Sequence, residues 1–564
     1  MTNKAEEFKC TEEGVFYNDE KVCDYLKIVG LITTQAENNW KVRLEFKDMA
    51  GEKRILDVST NKVRKIEDLI NDLTLKGLCP VIESPKFKKY VYQFIENREK
   101  ISRYIEVKQT GWMDEDFVCP SFCISKDINY IYEEKNNSGY EQNGSFKEWQ
   151  MDVSEFCKGN SALTFGMCLA FSAPLLKFFP SINTTIFNFV GKSSTGKTTV
   201  ARLSSSVWGN YKNYIKQWRM TSNAQEIVAS FHNYTFLVLD ELSQAKDEEI
   251  KSIAYTIGNE NGKARMTASI GLRAPIHWRT FGLSTAEIGV SEIIERLGKR
   301  VPEGVLARFV DIYYPMDEEK GIFEDLQGFK TSKEFAEAIV EKVSKYYGTA
   351  AEKYMKSLLE MSEERIREIF AETLSTLRKD CNISNEDTSN GLLSRVLNAF
   401  ALINTAGRIV SNGELGVVNL GAVEIDDAIQ KILNICLPNL RNLKNKKKEI
   451  KQEVTEWFKR NESYFIPTHQ NGERRLVLDY KDIKTKVFGY KIEDKNLYYW
   501  LPKNFKDFCK ETEIRAKEAK QFLIRSGVIE EHTEMEGKNL RKRVDAPIWI
   551  NGSRVRCIKV SLND

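Results

Sequence analysis

The amino-acid sequence predicts an α/β fold with a parallel sheet at its centre, and three observations predict it. The first is TIFNFVGKSSTGKTT, Thr185 to Thr199, where a short apolar run feeds a glycine-bounded loop and then a helical pattern. The second is a pair of further apolar runs, TFLVLDEL at Thr235 to Leu242 and TFGLSTAE at Thr280 to Glu287, each ending in polar residues. The third is the alternation of helix and strand patterns from about Met151 to Pro315, as a parallel sheet with helical crossovers requires.

Length and charge frame these elements. At 564 residues the chain has room for two to four domains of roughly 100 to 200 residues. The pattern divides it into an N-terminal α+β accessory domain over 1–145, the α/β core over 146–318, a helical lid over 319–442 and a basic winged-helix-like domain over 443–564. A hydrophobic content of 41% with 29% charged residues is that of a globular chain and excludes wholesale disorder. The net charge is only +3, yet residues 441–564 hold 29 Lys+Arg against 19 Asp+Glu, which suggests a polyanionic partner. The 11 cysteines are scattered, His232, His277, His469 and His532 do not cluster, and MTNKAEEFK lacks a secretory pattern. A cytoplasmic location with reduced thiols and no structural metal is expected. The apolar stretch Ala162 to Leu176 falls short of the roughly 20 residues of a spanning helix; it is expected to be a helix buried beside the sheet, with no membrane involved.

From the start of the chain, Trp40 to Phe46 and Arg54 to Val58 alternate as strands, while Val63 to Lys76 and Pro85 to Lys100 look helical. This part has no catalytic signature. It reads as an accessory domain, with a DNA-contacting or oligomerising collar as the other reading. Gly111-Trp112 opens a further extended region.

Next comes the glycine-bounded loop. Gly191, Lys192, Ser193, Ser194, Thr195, Gly196, Lys197, Thr198 and Thr199 fit the spacing G-x-x-x-x-G-K-[ST] of a nucleotide-binding P-loop. Its glycines let backbone N–H groups close on phosphate oxygens, and the helix that follows adds its amino-terminal dipole. Lys197 is expected to reach the β- and γ-phosphates of ATP, and the Thr198 hydroxyl to be a ligand of Mg²⁺. In TFLVLDEL, Asp240 at the carboxyl end of an apolar strand is placed to hold the Mg²⁺ shell, and Glu241 to polarise water. A small-molecule kinase needs no base for water, so the Asp-Glu pair favours an NTP hydrolase.

Three further elements each admit two readings. Ser284 and Thr285, at the end of TFGLSTAE, either sense the γ-phosphate or simply cap a strand. GNENGKARMTASIGLRAPIHW, Gly258 to Trp278, suggests a β-hairpin whose Lys263, Arg265 and Arg273 grip DNA phosphates or face solvent. In GVLARFVDIYYP, Gly304 to Pro315, Arg308 is either an arginine finger acting across a subunit interface, which makes the enzyme an oligomer, or a structural ion pair.

GKSSTGKTT, FLVLDEL, the basic hairpin, FGLSTAE and LARFVDIYY, in this order and spacing, resemble the AAA+ ATPase family of phage, plasmid and cassette-chromosome elements, long catalogued as a domain of unknown function. Its better-understood members look like minichromosome-maintenance-type replicative helicases. LARF is similar to the SRF arginine-finger segment of those enzymes, with alanine in place of serine. The resemblance covers most of the chain and is strongest from Phe187 to Pro315. It implies a hexameric, ATP-driven DNA helicase; the residues by themselves imply an oligomeric NTPase.

Beyond the core, Ser332 to Tyr347 and Ala350 to Arg378 are amphipathic. Ser394 to Val410 looks like a lid helix carrying a second sensor arginine, Arg395, the other reading being a core-flanking arginine on a plain amphipathic helix. Charge switches at LKNKKKEIK, Leu443 to Lys451, which reads as an exposed linker. Short strands and helices then alternate: Arg474 to Leu478, helices Pro502 to Lys510 and Thr512 to Arg525, and a two-stranded ribbon of Leu540 to Val544 and Val555 to Val560, which is winged-helix order. Arg515, Lys517, Lys520, Arg525, Arg541 and Arg543 are the candidates to contact single-stranded or duplex DNA; protein docking is the other reading of that basic face. No acidic primase site is visible, so a separate primase or polymerase is an expected partner. The function expected is an ATP-dependent replicative DNA helicase of a mobile element, the alternative being an AAA+ DNA-binding initiator or remodelling ATPase without unwinding activity.

Overall fold

Five strands make the central sheet: Thr185–Val190 (β1), Lys216–Gln217 (β2), Phe236–Asp240 (β3), Phe281–Ala286 (β4) and Phe309–Ile312 (β5), in the order β2-β3-β4-β1-β5 with every pair parallel. The structure, a computed structural model, describes residues 8–562 except 35–38, 80–83, 97, 98, 100, 133–138, 245–249, 251–255, 264, 267–271, 274, 275, 298–300, 385–390, 471–474, 479–486, 493–496, 513–515, 537, 538 and 552. Every residue of β1, β3 and β4 is buried. Strands covered on both faces read as unbroken apolar runs rather than alternating ones, which is why they stand out in the sequence. The chain builds β2, β3 and β4 on one side of β1 and β5 on the other. That reversal opens a crevice at the carboxyl end of β1, where open α/β sheets bind ligands.

Helices Ser161–Ser172 (α1), Lys197–Ser205 (α2), Ser222–Phe231 (α3) and Gly391–Val410 (α4) surround this sheet's strands in the chain. Residues Ala162 to Ser172 of α1 are all buried, as the apolar stretch predicted. Two glycines let its neighbours come close. A Cβ on Gly166 would lie 2.4 Å from Ser204 Oγ of α2, and one on Gly407 of α4 would lie 2.7 Å from Cys168 Sγ of α1. By length and composition Ser161–Phe178 is apolar enough to cross a membrane, and 83% of that window is buried inside the fold.

Two compact units divide the chain, Met1–Cys436 and Leu437–Asp564. The first begins with a three-stranded meander, Phe8–Thr11, Gly14–Tyr17 and Glu20–Cys23. A five-stranded sheet follows in the order Asn129–Tyr132, Ser102–Val107, Leu26–Thr34, Trp40–Lys47, Lys53–Ser59. The Gly-Trp segment is seated on the α/β core: Thr110 Oγ1 donates to Phe231 O at 2.7 Å and Trp112 Nε1 to Pro174 O at 2.9 Å. Gly111, at φ +105°, lies so close to Asn233 that a Cβ would meet its carbonyl at 2.7 Å.

The second unit departs from a plain winged helix. Helices Pro502–Glu511 and Ala516–Arg525 occur as expected, but the expected ribbon is corrected: Asn539–Arg543 pairs with His532–Glu536, and Ser553–Ser561 pairs elsewhere. They accompany a closed six-stranded barrel of Phe465–Gln470, Arg475–Leu478, Asp545–Ile550, Ser553–Ser561, Leu497–Trp500 and Gly489–Ile492, in that order around the ring. The expected linker, Leu443 to Lys451, is also corrected: it lies inside the helix Ala422–Arg460. Its lysines are good helix formers, so a charge run did not mean an irregular backbone.

Candidate functional site

The loop between β1 and α2 is held from several sides. Gly191 N donates to Ala286 O of β4 at 3.1 Å, tying the loop's start to the neighbouring strand. Ser194 and Gly196 take positive φ values of 61° and 96°, turning the backbone inward ahead of the first turn of α2. Thr195 Oγ1 donates to Lys192 O at 2.9 Å. On the outside, Ile322 N donates to Thr195 O at 2.8 Å, and a Cβ on Gly196 would stand 2.8 Å from Ile322 Cγ2 and 2.9 Å from Phe323 Cζ. Residues 321–323 therefore brace the loop, a contact that no local motif announces.

Lys197 opens α2 with only 7% of its surface exposed. Its ammonium donates to Gly191 O at 2.9 Å and to Lys192 O at 2.5 Å, folded back over the cradle. Burial holds its pKa below the usual lysine value, while the Glu287 and Asp240 carboxylates oppose that shift. Thr198 Oγ1 lies 3.4 Å from Asp240 Oδ1. Two oxygens bound side by side to one Mg²⁺, at bonds of 2.0–2.1 Å, are about 3 Å apart, so this hydroxyl and carboxylate fit a shared magnesium. Asp240 ends β3 and is 8% exposed; it also accepts a hydrogen bond from Thr285 Oγ1 of β4. Glu241 follows in a left-handed conformation, φ +56°, with its amide donating to Thr285 Oγ1 at 3.1 Å. A non-glycine residue held there stores local strain, and such positions gather at reactive sites.

Loop, Lys197, Thr198, Asp240 and Glu241 are thus brought together. Ser284 is not, and this corrects the expectation. It is 0% exposed and accepts a hydrogen bond from Trp218 Nε1 at 2.9 Å, whereas the adjacent Thr285 reaches Asp240. Neighbours on a strand face opposite ways, so one hydroxyl had to turn from the carboxylate. Thr285→Val is expected to lower the turnover number with little loss of stability. Ser284→Ala should lower thermal stability by about 1–3 kcal/mol, the cost of an unpaired buried indole N–H, and leave the turnover number nearly unchanged. Paired melting and hydrolysis measurements on the two variants check this.

Glu287 was not among the candidates although it closes the quoted FGLSTAE. It accepts a hydrogen bond from Ser193 Oγ of the loop, and nothing in its type or spacing signalled that.

The remaining candidates lie elsewhere. Arg308 immediately precedes β5, at the amino-terminal end of the sheet, and its carbonyl accepts from Ile186 N at 2.8 Å. Its stem packs on Gly258, where a Cβ would come within 2.1 Å of Arg308 Cδ, and its buried Nε has no hydrogen-bond partner among the described residues. Arg395 is exposed on α4. The hairpin exists: Arg265–Met266 pairs antiparallel with Leu272–Arg273, setting Arg265 opposite Arg273, and Lys263 donates to Ser222 Oγ at 2.8 Å. The side chains of Arg265 and Arg273 lie outside the described residues. In the second unit Lys517 and Lys520 are on the helix Ala516–Arg525, and Arg541 and Arg543 are on the ribbon. Arg515 lies outside the described residues.

With this geometry in hand, comparison with known proteins is informative. Residues 4–276 match the family model described as "Domain of unknown function (DUF927)". No curated protein matches. Among solved structures, the chain is similar to "SCCmec type IV Cch - active helicase" with a TM-score of 0.64 and 17% identity, covering 100% of this chain and 98% of that one. "The A form apo structure of NrS-1 C terminal region-CTR" aligns at a TM-score of 0.25 and 11% identity, over 68% of this chain and 87% of that one. The mixed α/β architecture built on the β2-β3-β4-β1-β5 sheet is accordingly a fold that this chain shares, end to end, with a protein described as an active helicase.

Proposed function

We propose that the protein is an ATP-dependent DNA helicase of the AAA+ type, working as a ring, in line with the mobile-element family that its motifs resemble. The observation that carries the reading is the meeting of Lys197, Thr198, Asp240 and Glu241 at the carboxyl end of β1, where the strand order reverses. Thr198 and Asp240 would hold a Mg²⁺ ion, which when bound would supply positive charge against that developing on the phosphates. Lys197 would swing from the loop carbonyls to the phosphates, and Glu241 would orient the attacking water. Thr285 fixes both carboxylate-bearing residues, through the Asp240 side chain and the Glu241 amide. Arg308 serves the site of a neighbouring copy. Support for a nucleic-acid partner comes from the excess of Lys+Arg in residues 441–564. The likeness to an active helicase adds the fold in which such a motor works.

The test is steady-state ATP hydrolysis with and without single-stranded DNA, Lys197→Ala serving as the blank, followed by strand displacement. DNA stimulation that disappears in the blank, with unwinding of a forked duplex, is the expected result. Stimulation without unwinding would favour an initiator, and hydrolysis indifferent to DNA would overturn the helicase reading in favour of a remodelling ATPase.

A further inference from the structure

The barrel of the second unit is covered on part of its wall and bare on the rest. Along the strand Ser553–Ser561, Val555 and Cys557 belong with Ile548, Ile550, Leu476 and Ile492 to the barrel interior. Outward-facing Ile558 and Val560 pack instead with Trp457, Trp500, Phe508 and Leu523, so helices cover that end. At the other end of the same strand no such cover is present among the described residues of this unit. Arg554 is exposed, and Trp549 and Val477 on the adjoining strands are each 39% exposed.

The register places Trp549 directly opposite Arg554 on one side and Arg475 on the other. The Arg554 guanidinium stands 5.8 Å from the Trp549 ring centroid. Two acidic groups of this unit, Asp545 and Glu534, both bind Arg556, at 2.8 and 2.6 Å. Arg554 forms no ion pair among the described residues. The wall thus offers a broad indole at a register position between two arginines, in a unit rich in Lys+Arg.

We infer that this wall, centred on Trp549 with Arg554, is a stacking platform for single-stranded nucleic acid. An exposed aromatic ring takes a base on its face, and the neighbouring arginine meets a phosphate beside that base. Duplex DNA keeps its bases stacked on one another and offers the ring nothing, so charge complementarity combined with a free indole selects the single strand. The assignment rests on the proposed nucleic-acid motor for its biological setting, but its chemistry stands on the wall itself.

The experiment is fluorescence anisotropy of the full chain with a labelled oligothymidylate, without nucleotide, beside an abasic strand of equal length and a duplex. Trp549→Ala is expected to weaken oligothymidylate binding roughly 5- to 100-fold, to leave abasic and duplex binding unchanged, and to keep the wild-type melting temperature. Trp549→Phe should retain most of the affinity, and Arg554→Ala should reduce the salt dependence by about one phosphate contact. Equal losses on abasic or duplex DNA would overturn stacking. A change in sedimentation behaviour with unchanged strand affinity would also overturn it, marking a surface between copies. If wild-type hydrolysis still responds to DNA while Trp549→Ala binds normally, the platform falls and the motor stands; Trp549-dependent binding without any DNA response in hydrolysis gives the reverse.

Discussion

Lys197→Ala is expected to reduce the proposed ATP hydrolysis by about 10²- to 10³-fold, the scale on which removal of one preorganised charge-stabilising donor acts, while leaving the melting temperature close to that of the parent protein. The asymmetry follows from what the ammonium touches. Its partners are the carbonyls of Gly191 and Lys192, at 2.9 and 2.5 Å, at the rim of a loop that water reaches. Those carbonyls exchange a protein donor for a water donor at small cost. The loop keeps its shape through Ala286, Ile322 and the left-handed Gly196, none of which involves the ammonium. Phosphates have no such substitute, because a cation already stripped of most of its water interacts far more strongly than one in bulk solvent. Lys197→Arg should fail as well, since a planar guanidinium does not replace a compact ammonium in this cradle. Phosphate-release kinetics alongside thermal melting measure both halves of the prediction. A normal rate in Lys197→Ala would remove the loop from the chemistry altogether.

Arg308→Ala is expected to cut the turnover number by about 10³- to 10⁵-fold, as loss of an arginine finger does, with nucleotide affinity largely preserved. Position decides the argument. Arg308 precedes β5 beside Ile186, and the loop begins after Val190, so with parallel strands rising about 3.3 Å per residue roughly 13 Å of sheet separates Arg308 from its own subunit's loop. A role at the phosphates therefore requires a second copy. Mixing supplies the decisive measurement. On the proposed ring, each of Lys197→Ala and Arg308→Ala should keep only residual hydrolysis by itself, whereas a mixed ring would contain interfaces that join an intact Lys197 to an intact Arg308, and activity should return on mixing. If mixtures stay inactive and Arg308→Ala melts well below the parent, the residue is structural, its stem filling the space over Gly258.

How legible the site was depended on the range of the interaction that builds it. The turn that ends at Lys197 and Thr198 was readable because a tight glycine-bounded loop between strand and helix is a local backbone shape that needs particular residues at fixed offsets. Asp240 and Glu241 were readable because a strand buried on both faces is an unbroken apolar run and its end is where polarity begins. Helix α1 was placed for the same reason. In the second unit the strands near Arg475 and Val555 and the two helices were visible, but the barrel was not. Its closure depends on the parallel pairing of Phe465–Gln470 with Gly489–Ile492 and of Arg475–Leu478 with Asp545–Ile550, contacts between segments far apart in the chain.

By itself, then, the sequence determined the α/β class, the nucleotide-type loop, the paired carboxylates at a strand end and the basic character of the last segment, all of which are written in residues a few positions apart. Only the tertiary structure decided that Thr285 and not Ser284 meets Asp240, that Glu287 and residues 321–323 hold the loop, that Arg308 lies at the far end of its own sheet, and that Trp549 stands on a bare barrel wall. Each of these depends on which strand lies beside which and on which face each presents. Such pairings are selected by the packing of the whole core, to which no short stretch of residues has access.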